Sequence, residues 1–172
     1  MQSISANLNI MIKSAEKASR LLIRDFGEIE KLQVSIKGPT DFVSNADLKA
    51  EKIIIEELKN ARPFFSIISE EDGSESNKDK NNTWIIDPID GTTNFLHGVP
   101  HFAISIALMS GNEIVSGVIY DPIKDEMFYA EKDSGAFFNN QRIRVSKKKD
   151  VNSCLFATGG KSENEIDLPF RK

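Results

Sequence analysis

The sequence predicts an α+β fold, with two long helices packed on a mainly antiparallel β-sheet. Three observations carry this. Apolar residues recur at spacings of three and four through the N-terminal third, the period of amphipathic helices. From Phe64 onward they fall instead into short runs separated by brief turns, and short links between consecutive strands make an antiparallel meander. Within that meander, large residues (Phe102, Ile104, Ile106, Leu108) alternate with small ones (Ala103, Ser105, Ala107), the pattern of a strand covered on one face by close-packed helices.

Taken in order, Ile4, Leu8, Met11, Ile12, Ala15, Ala18, Leu22 and Phe26 form one stripe of a long helix expected to end near Gly27. Leu32, Val34 and Ile36 alternate with polar residues, a strand or extended arm that runs into the turn Lys37-Gly38-Pro39. Lys37 there lies either at the mouth of an anionic site or simply in solvent. Ser44-Asn45-Ala46-Asp47 is expected to open a second helix, with Ala50, Ile53, Ile54 and Leu58 on its apolar face and Pro63 beyond its end. By itself, Ser44 followed three residues later by Asp47 reads as a capping box.

Residues 64–68 read as a buried strand that ends in the acidic turn Ser69-Glu70-Glu71-Asp72-Gly73. Residues 74–82 are polar and aperiodic and predict a mobile surface loop, the composition of a flap. Trp84, Ile85 and Ile86 form a second apolar strand, expected to stop at Asp87-Pro88 because proline has no ladder donor. Adjacent strands that both end in carboxylates would bring Glu70 and Asp87 to one rim of a sheet.

The stretch after that strand carries the chemistry. Asp87, Asp90 and the intervening Ile89 carbonyl are hard oxygen donors that can converge on one cation. Gly91 permits a sharp turn, and Thr92-Thr93 suits a helix start whose amides can receive an anion. The reading is a metal site next to a phosphate site. His97 and His101 follow at a spacing of four, but Pro100 breaks the helix that would bring them to one ion.

Strands are then expected at 102–109, 114–120 and 126–130, joined by Ser110-Gly111-Asn112 and Asp121-Pro122-Ile123-Lys124, with a further hairpin around Asn139-Asn140. Residues 154–158 read as another strand before Gly159-Gly160 and a polar tail.

Composition sets limits on function. A chain of 172 residues, 40% hydrophobic and 28% charged, is that of one soluble domain. A net charge of −4 argues against direct nucleic-acid binding, and the one basic cluster, Lys147-Lys148-Lys149, reads as a solvated turn. The single cysteine, Cys154, has no internal partner, which fits a reducing, cytoplasmic compartment. The N-terminus lacks the basic-then-apolar order of a secretory signal, and no apolar run approaches the ~18 residues of a membrane span.

The motif 84–95 (Trp-Ile-Ile-Asp-Pro-Ile-Asp-Gly-Thr-Thr-Asn-Phe), together with Asp41-Phe42-Val43-Ser44-Asn45-Ala46-Asp47 and Ser69-Glu70-Glu71 upstream, resembles the inositol monophosphatase family of magnesium-dependent, lithium-sensitive phosphatases. Pro100-His101-Phe102-Ala103-Ile104-Ser105-Ile106 resembles its bacterial branch, the extragenic suppressor proteins. The resemblance implies a family-type N-terminal domain over residues 1–158. A polar tail, 159–172, then stands where the family's C-terminal domain and its second signature would begin. It implies that Glu70, Asp87 and the Ile89 carbonyl hold a first Mg2+, that Asp87 and Asp90 hold a second, and that the second set lacks a carboxylate from the further domain. Asp47 would pair with Thr92 to orient and deprotonate water, so that a cap residue serves both roles. Asp90 and the amides of Gly91 and Thr92 would contact the substrate. The activity implied is hydrolysis of inositol monophosphate or a related sugar phosphate, in a family that forms homodimers. The alternatives are a non-catalytic interaction protein of the extragenic suppressor type, acting with the transcription machinery, and an inactive truncated form.

Overall fold

Two helices, α1 (Ala6–Leu32) and α2 (Pro39–Ala61), pack against each other and against one face of a β-sheet. The computed structural model describes residues 4–32, 39–70 and 73–156, with backbone alone at 30–32 and 39–44. Among the described residues the sheet has eight strands: β1 (Phe65–Ser69), β2 (Gly73–Glu75), β3 (Asp79–Asp90), β4 (Ala103–Ser110), β5 (Glu113–Asp121), β6 (Glu126–Glu131), β7 (Gly135–Phe138) and β8 (Gln141–Ile143). Their spatial order is β2-β1-β3-β4-β5-β6-β7-β8. Every neighbouring pair is antiparallel except β1 and β3, which run parallel. The predicted α+β class and antiparallel meander are those observed.

The core lies between helices and sheet. Leu8, Met11, Ala15, Ala18 and Leu22 of α1 and Ala50, Ile54 and Leu58 of α2 are at most 1% exposed and meet the buried row Ile104, Ile106 and Leu108 of β4. The small residues Ala103, Ser105 and Ala107 alternate onto the opposite face. There Ile119, Phe128 and Ile143 are 50%, 38% and 40% exposed along a shallow apolar groove of about 300 Å³. At the far end of α1, Phe26 packs against Phe95 and Phe102, with ring centroids 5.5 and 5.3 Å away, and so ties the helix to the segment after β3.

Several boundaries differ from the sequence reading. α1 runs through Gly27 to Leu32, because an exposed glycine inside a helix costs only ~1 kcal/mol and Ile29 is buried on the same stripe. Leu32 therefore belongs to α1, and the rest of the expected arm, with Lys37, lies outside the described residues. α2 begins at Pro39, five residues before Ser44. Proline suits the first helical position, since its fixed φ is helical and its missing N–H has no intrahelical partner there. Ser44 is thus interior to the helix, and the capping-box reading of Ser44 and Asp47 is overturned.

The expected flap at 74–82 is instead mostly strand, the edge strand β2 and the start of the interior strand β3, because its polar side chains are exposed or half-buried there and need no apolar period. β3 also does not stop at Asp87. It continues to Asp90 through a bulge, in which Asp87 faces Ser105 and Asp90 faces Ala103. Cys154 follows a short 3-10 turn (Val151–Ser153) rather than opening a strand, and Leu155 and Phe156 are 97% and 72% exposed. The remainder of that expected strand lies outside the described residues.

Candidate metal and phosphate site

Three carboxylates collect at the rim where β1 and β3 end. The parallel register sets Ser69 beside Ile86, and the Glu70 amide donates to the Ile86 carbonyl at 3.3 Å, so Glu70 emerges next to Asp87. The bulge brings in Asp90. In an uninterrupted strand, residues three apart face opposite sides, and the one extra residue between Asp87 and Asp90 returns both to the same side.

The electrostatics record this crowding. Burial first, then the Glu70 and Asp90 carboxylates, push the Asp87 carboxyl up to about 7, while the Ile89 amide donating to it at 3.1 Å works the other way. No lysine or arginine among the described residues pairs with any of the three. The carboxyls are neighbours rather than a closed shell: among the described residues no three His, Cys, Asp or Glu groups sit close enough to share one ion. An all-oxygen donor set of crowded carboxylates fits a hard divalent cation such as Mg2+.

Beyond Asp90 the chain makes the turn expected at Gly91. Its φ is +99°, and a Cβ there would stand 3.2 Å from the His101 carbonyl oxygen and 3.4 Å from the Phe102 backbone, so glycine answers both a conformational and a steric demand. The short helix α3 (Thr92–Leu96) follows, anchored by fully buried Phe95, whose ring meets Phe102 edge-on at 4.8 Å. The Thr92 hydroxyl donates to the Ile89 carbonyl at 2.9 Å, closing the turn. Asn94 Nδ2 donates to the His101 carbonyl at 2.8 Å and fastens α3 to the start of β4.

Asp47 lies within α2, 4% exposed, rather than at its N-terminus. The histidines diverge: His97 ends α3, while His101 Nδ1 faces Lys124 Nζ at 3.1 Å. A cavity of about 420 Å³ opens beside the turn, lined by Asp90, Gly91, Asn94, His101, Lys124 and Phe128 among others. Sequence reasoning passed over Lys124, for which no local pattern exists, and Glu51. Glu51 is 1% exposed, and its signal was a second acid one helical turn after Asp47.

Fold and site together define a two-layer α+β domain that gathers carboxylates and a glycine turn on one sheet rim. The chain belongs to the inositol monophosphatase family, whose profile matches residues 5–172. It is 51% identical over 155 residues to an inositol-1-monophosphatase of Rhizobium meliloti, covering 90% of this chain and 58% of the relative. It is 45% identical over 151 residues to the Nus factor SuhB of Vibrio cholerae, covering 88% and 57%. Among solved structures, the extragenic suppressor protein suhB of Bartonella henselae matches with a TM-score of 0.78 and 51% identity, over 87% of this chain and 58% of that one. The Thermotoga maritima IMPase matches with a TM-score of 0.70 and 36% identity, over 83% and 55%. The chain therefore spans a little over half the length of these relatives. Among the described residues no helix is long and apolar enough to cross a membrane.

Proposed function

We propose that this chain carries the metal- and phosphate-binding half of a Mg2+-dependent phosphomonoesterase acting on inositol monophosphate or a related sugar phosphate in the cytoplasm. The observation that carries the reading is the meeting of Glu70, Asp87 and Asp90 on one rim beside the Gly91 turn.

Glu70, Asp87 and the Ile89 carbonyl would hold the first Mg2+, and Asp87 with Asp90 the second. Bound there, the metal lowers the pKa of water and offsets charge on phosphate oxygens. The residues of the chain do the rest. Amides of Gly91 and Thr92 hold phosphate oxygens, since the first amides of a helix have no intrahelical acceptor. Asp47 and the Thr92 hydroxyl orient the attacking water and take its proton. Asp90 also contacts the leaving sugar alcohol, which departs in line.

The test is phosphate release from inositol 1-phosphate with magnesium and with chelator, beside calorimetric titration of magnesium. Magnesium-dependent turnover lost in Asp87→Asn supports the enzyme. Binding without turnover means that a carboxylate from elsewhere is needed, and absence of both sinks the assignment. Lithium should inhibit by occupying the weaker second set, and turnover indifferent to lithium would count against that set.

The relatives named Nus factor SuhB favour a second reading, an interaction protein acting with the transcription machinery. Partner binding that survives Asp87→Asn would support it. The family's homodimer is a further expectation, tested by ultracentrifugation.

A further inference from the structure

Asp47 and Glu51 stand one turn apart on α2, 4% and 1% exposed, on a helix whose other buried residues include Ala50, Ile54 and Leu58. Holding a carboxylate away from water is costly even when hydrogen-bonded, and an apolar side chain of similar volume would often be as stable or more so. Stability alone is therefore a poor reason for Glu51. Its contact is informative. The hydroxyl of Ser69, the last residue of β1 and 6% exposed, donates to Glu51 Oε1. The next residue is Glu70, whose amide meets Ile86 and whose side chain meets Asp87.

We infer that Glu51 is a positioning residue for the rim: its bond to Ser69 fixes the end of β1 against α2, and so aligns Glu70 with Asp87 while tying the turn of α2 that carries Asp47 to the same strand end. The inference rests on the proposed metal site. One cross-tie then sets two things. The strand end carrying Glu70 is pinned to α2, and the helix face carrying Asp47, about 6 Å along α2 from Glu51, is locked to the same point. Without it, the side chain at the end of this five-residue strand would lose its hydrogen bond to α2.

The test compares Ser69→Ala, Glu51→Leu, Glu51→Gln and the control Ser66→Ala by magnesium titration, with amide hydrogen exchange at Glu70 as a readout independent of metal. Ser66 is a fair control because it is as buried on the same strand, and it loses bonds to the Asp79 carbonyl (3.2 Å) and the Asn77 amide (3.1 Å) at the opposite end. Ser69→Ala and Glu51→Leu are expected to weaken magnesium binding about tenfold, while Glu51→Gln, which keeps an oxygen for the Ser69 hydroxyl, stays within about twofold of the parent. Ser66→Ala should bind as the parent does. Exchange at the Glu70 amide should quicken in Ser69→Ala and Glu51→Leu alone. Unchanged exchange at Glu70 in Ser69→Ala, or equal loss of magnesium affinity in Ser66→Ala, would overturn the inference. A parent chain that binds no magnesium would sink the metal-site reading, and Glu70 exchange would still decide whether the tie exists.

Discussion

At the scale of single residues, Asp121 shows how one carboxylate closes a turn. It accepts from the amides of Ile123 and Lys124, both at 3.0 Å, and from Lys124 Nζ at 2.5 Å. Burial would raise its pKa, but the Lys124 ammonium and the two amides outweigh it and hold the carboxyl below its usual range. A carboxyl whose folded pKa is depressed leaves the unfolded chain binding more protons in acid. Its stabilisation is full above the unfolded value of about 3.9 and is lost as pH falls through the folded one. Asp121→Asn is therefore expected to cost about 1 kcal/mol at pH 7, with the gap from the parent narrowing below about pH 4. Urea melts at pH 3 and pH 7 measure this, and a gap that widens in acid would refute it.

Much of the site was legible at this scale. Asp87, Asp90, Gly91 and Thr92 lie within six consecutive residues, so local spacing sufficed to bring them together. Glu51 was legible only as a second acid one turn after Asp47; nothing in a helical pattern says that it will be turned inward against a strand serine.

At the scale of elements, two glycines behave in opposite ways. Gly91 sits at φ +99° with the His101 carbonyl 3.2 Å from a Cβ position, so Gly91→Ala should lose about 1–3 kcal/mol and weaken phosphate binding. Gly27 lies within α1 with nothing within 4 Å of a Cβ, so Gly27→Ala should gain about 0.5–1 kcal/mol by restricting the unfolded chain. Thermal melts of the two variants check both signs. The same contrast explains the misplaced helix end. A glycine is a stop signal only when the helix has nothing further to bury, and Ile29 was still to come. The polar residues of β2 and early β3 were unreadable for a related reason, since the short edge strand β2 and the exposed start of β3 face water and carry no apolar alternation.

At the scale of the whole molecule, the proposed metal site would link ion binding to folding. If Glu70 and Asp87 converge only in the folded chain, magnesium at a hundredfold its Kd should add about 2.7 kcal/mol of stability. For a domain of this size that is a rise of roughly 5–10 °C in Tm. Asp87→Asn should abolish the rise, and in chelator it should melt no lower than the parent, because it removes one of three crowded charges. A magnesium shift that persists in Asp87→Asn would place the ion elsewhere.

The sequence by itself determined the α+β class, the order of helices and meander, the glycine turn and the closely spaced carboxylates before it, because each depends on contacts within a few residues of chain. Tertiary structure alone decided the register in which β1 pairs with β3, the bulge that turns Asp87 and Asp90 to one side, and the inward Glu51 bonded to Ser69. Those depend on which distant segments share a rim and in what register, and register is an outcome of packing the two helices and the sheet into one core.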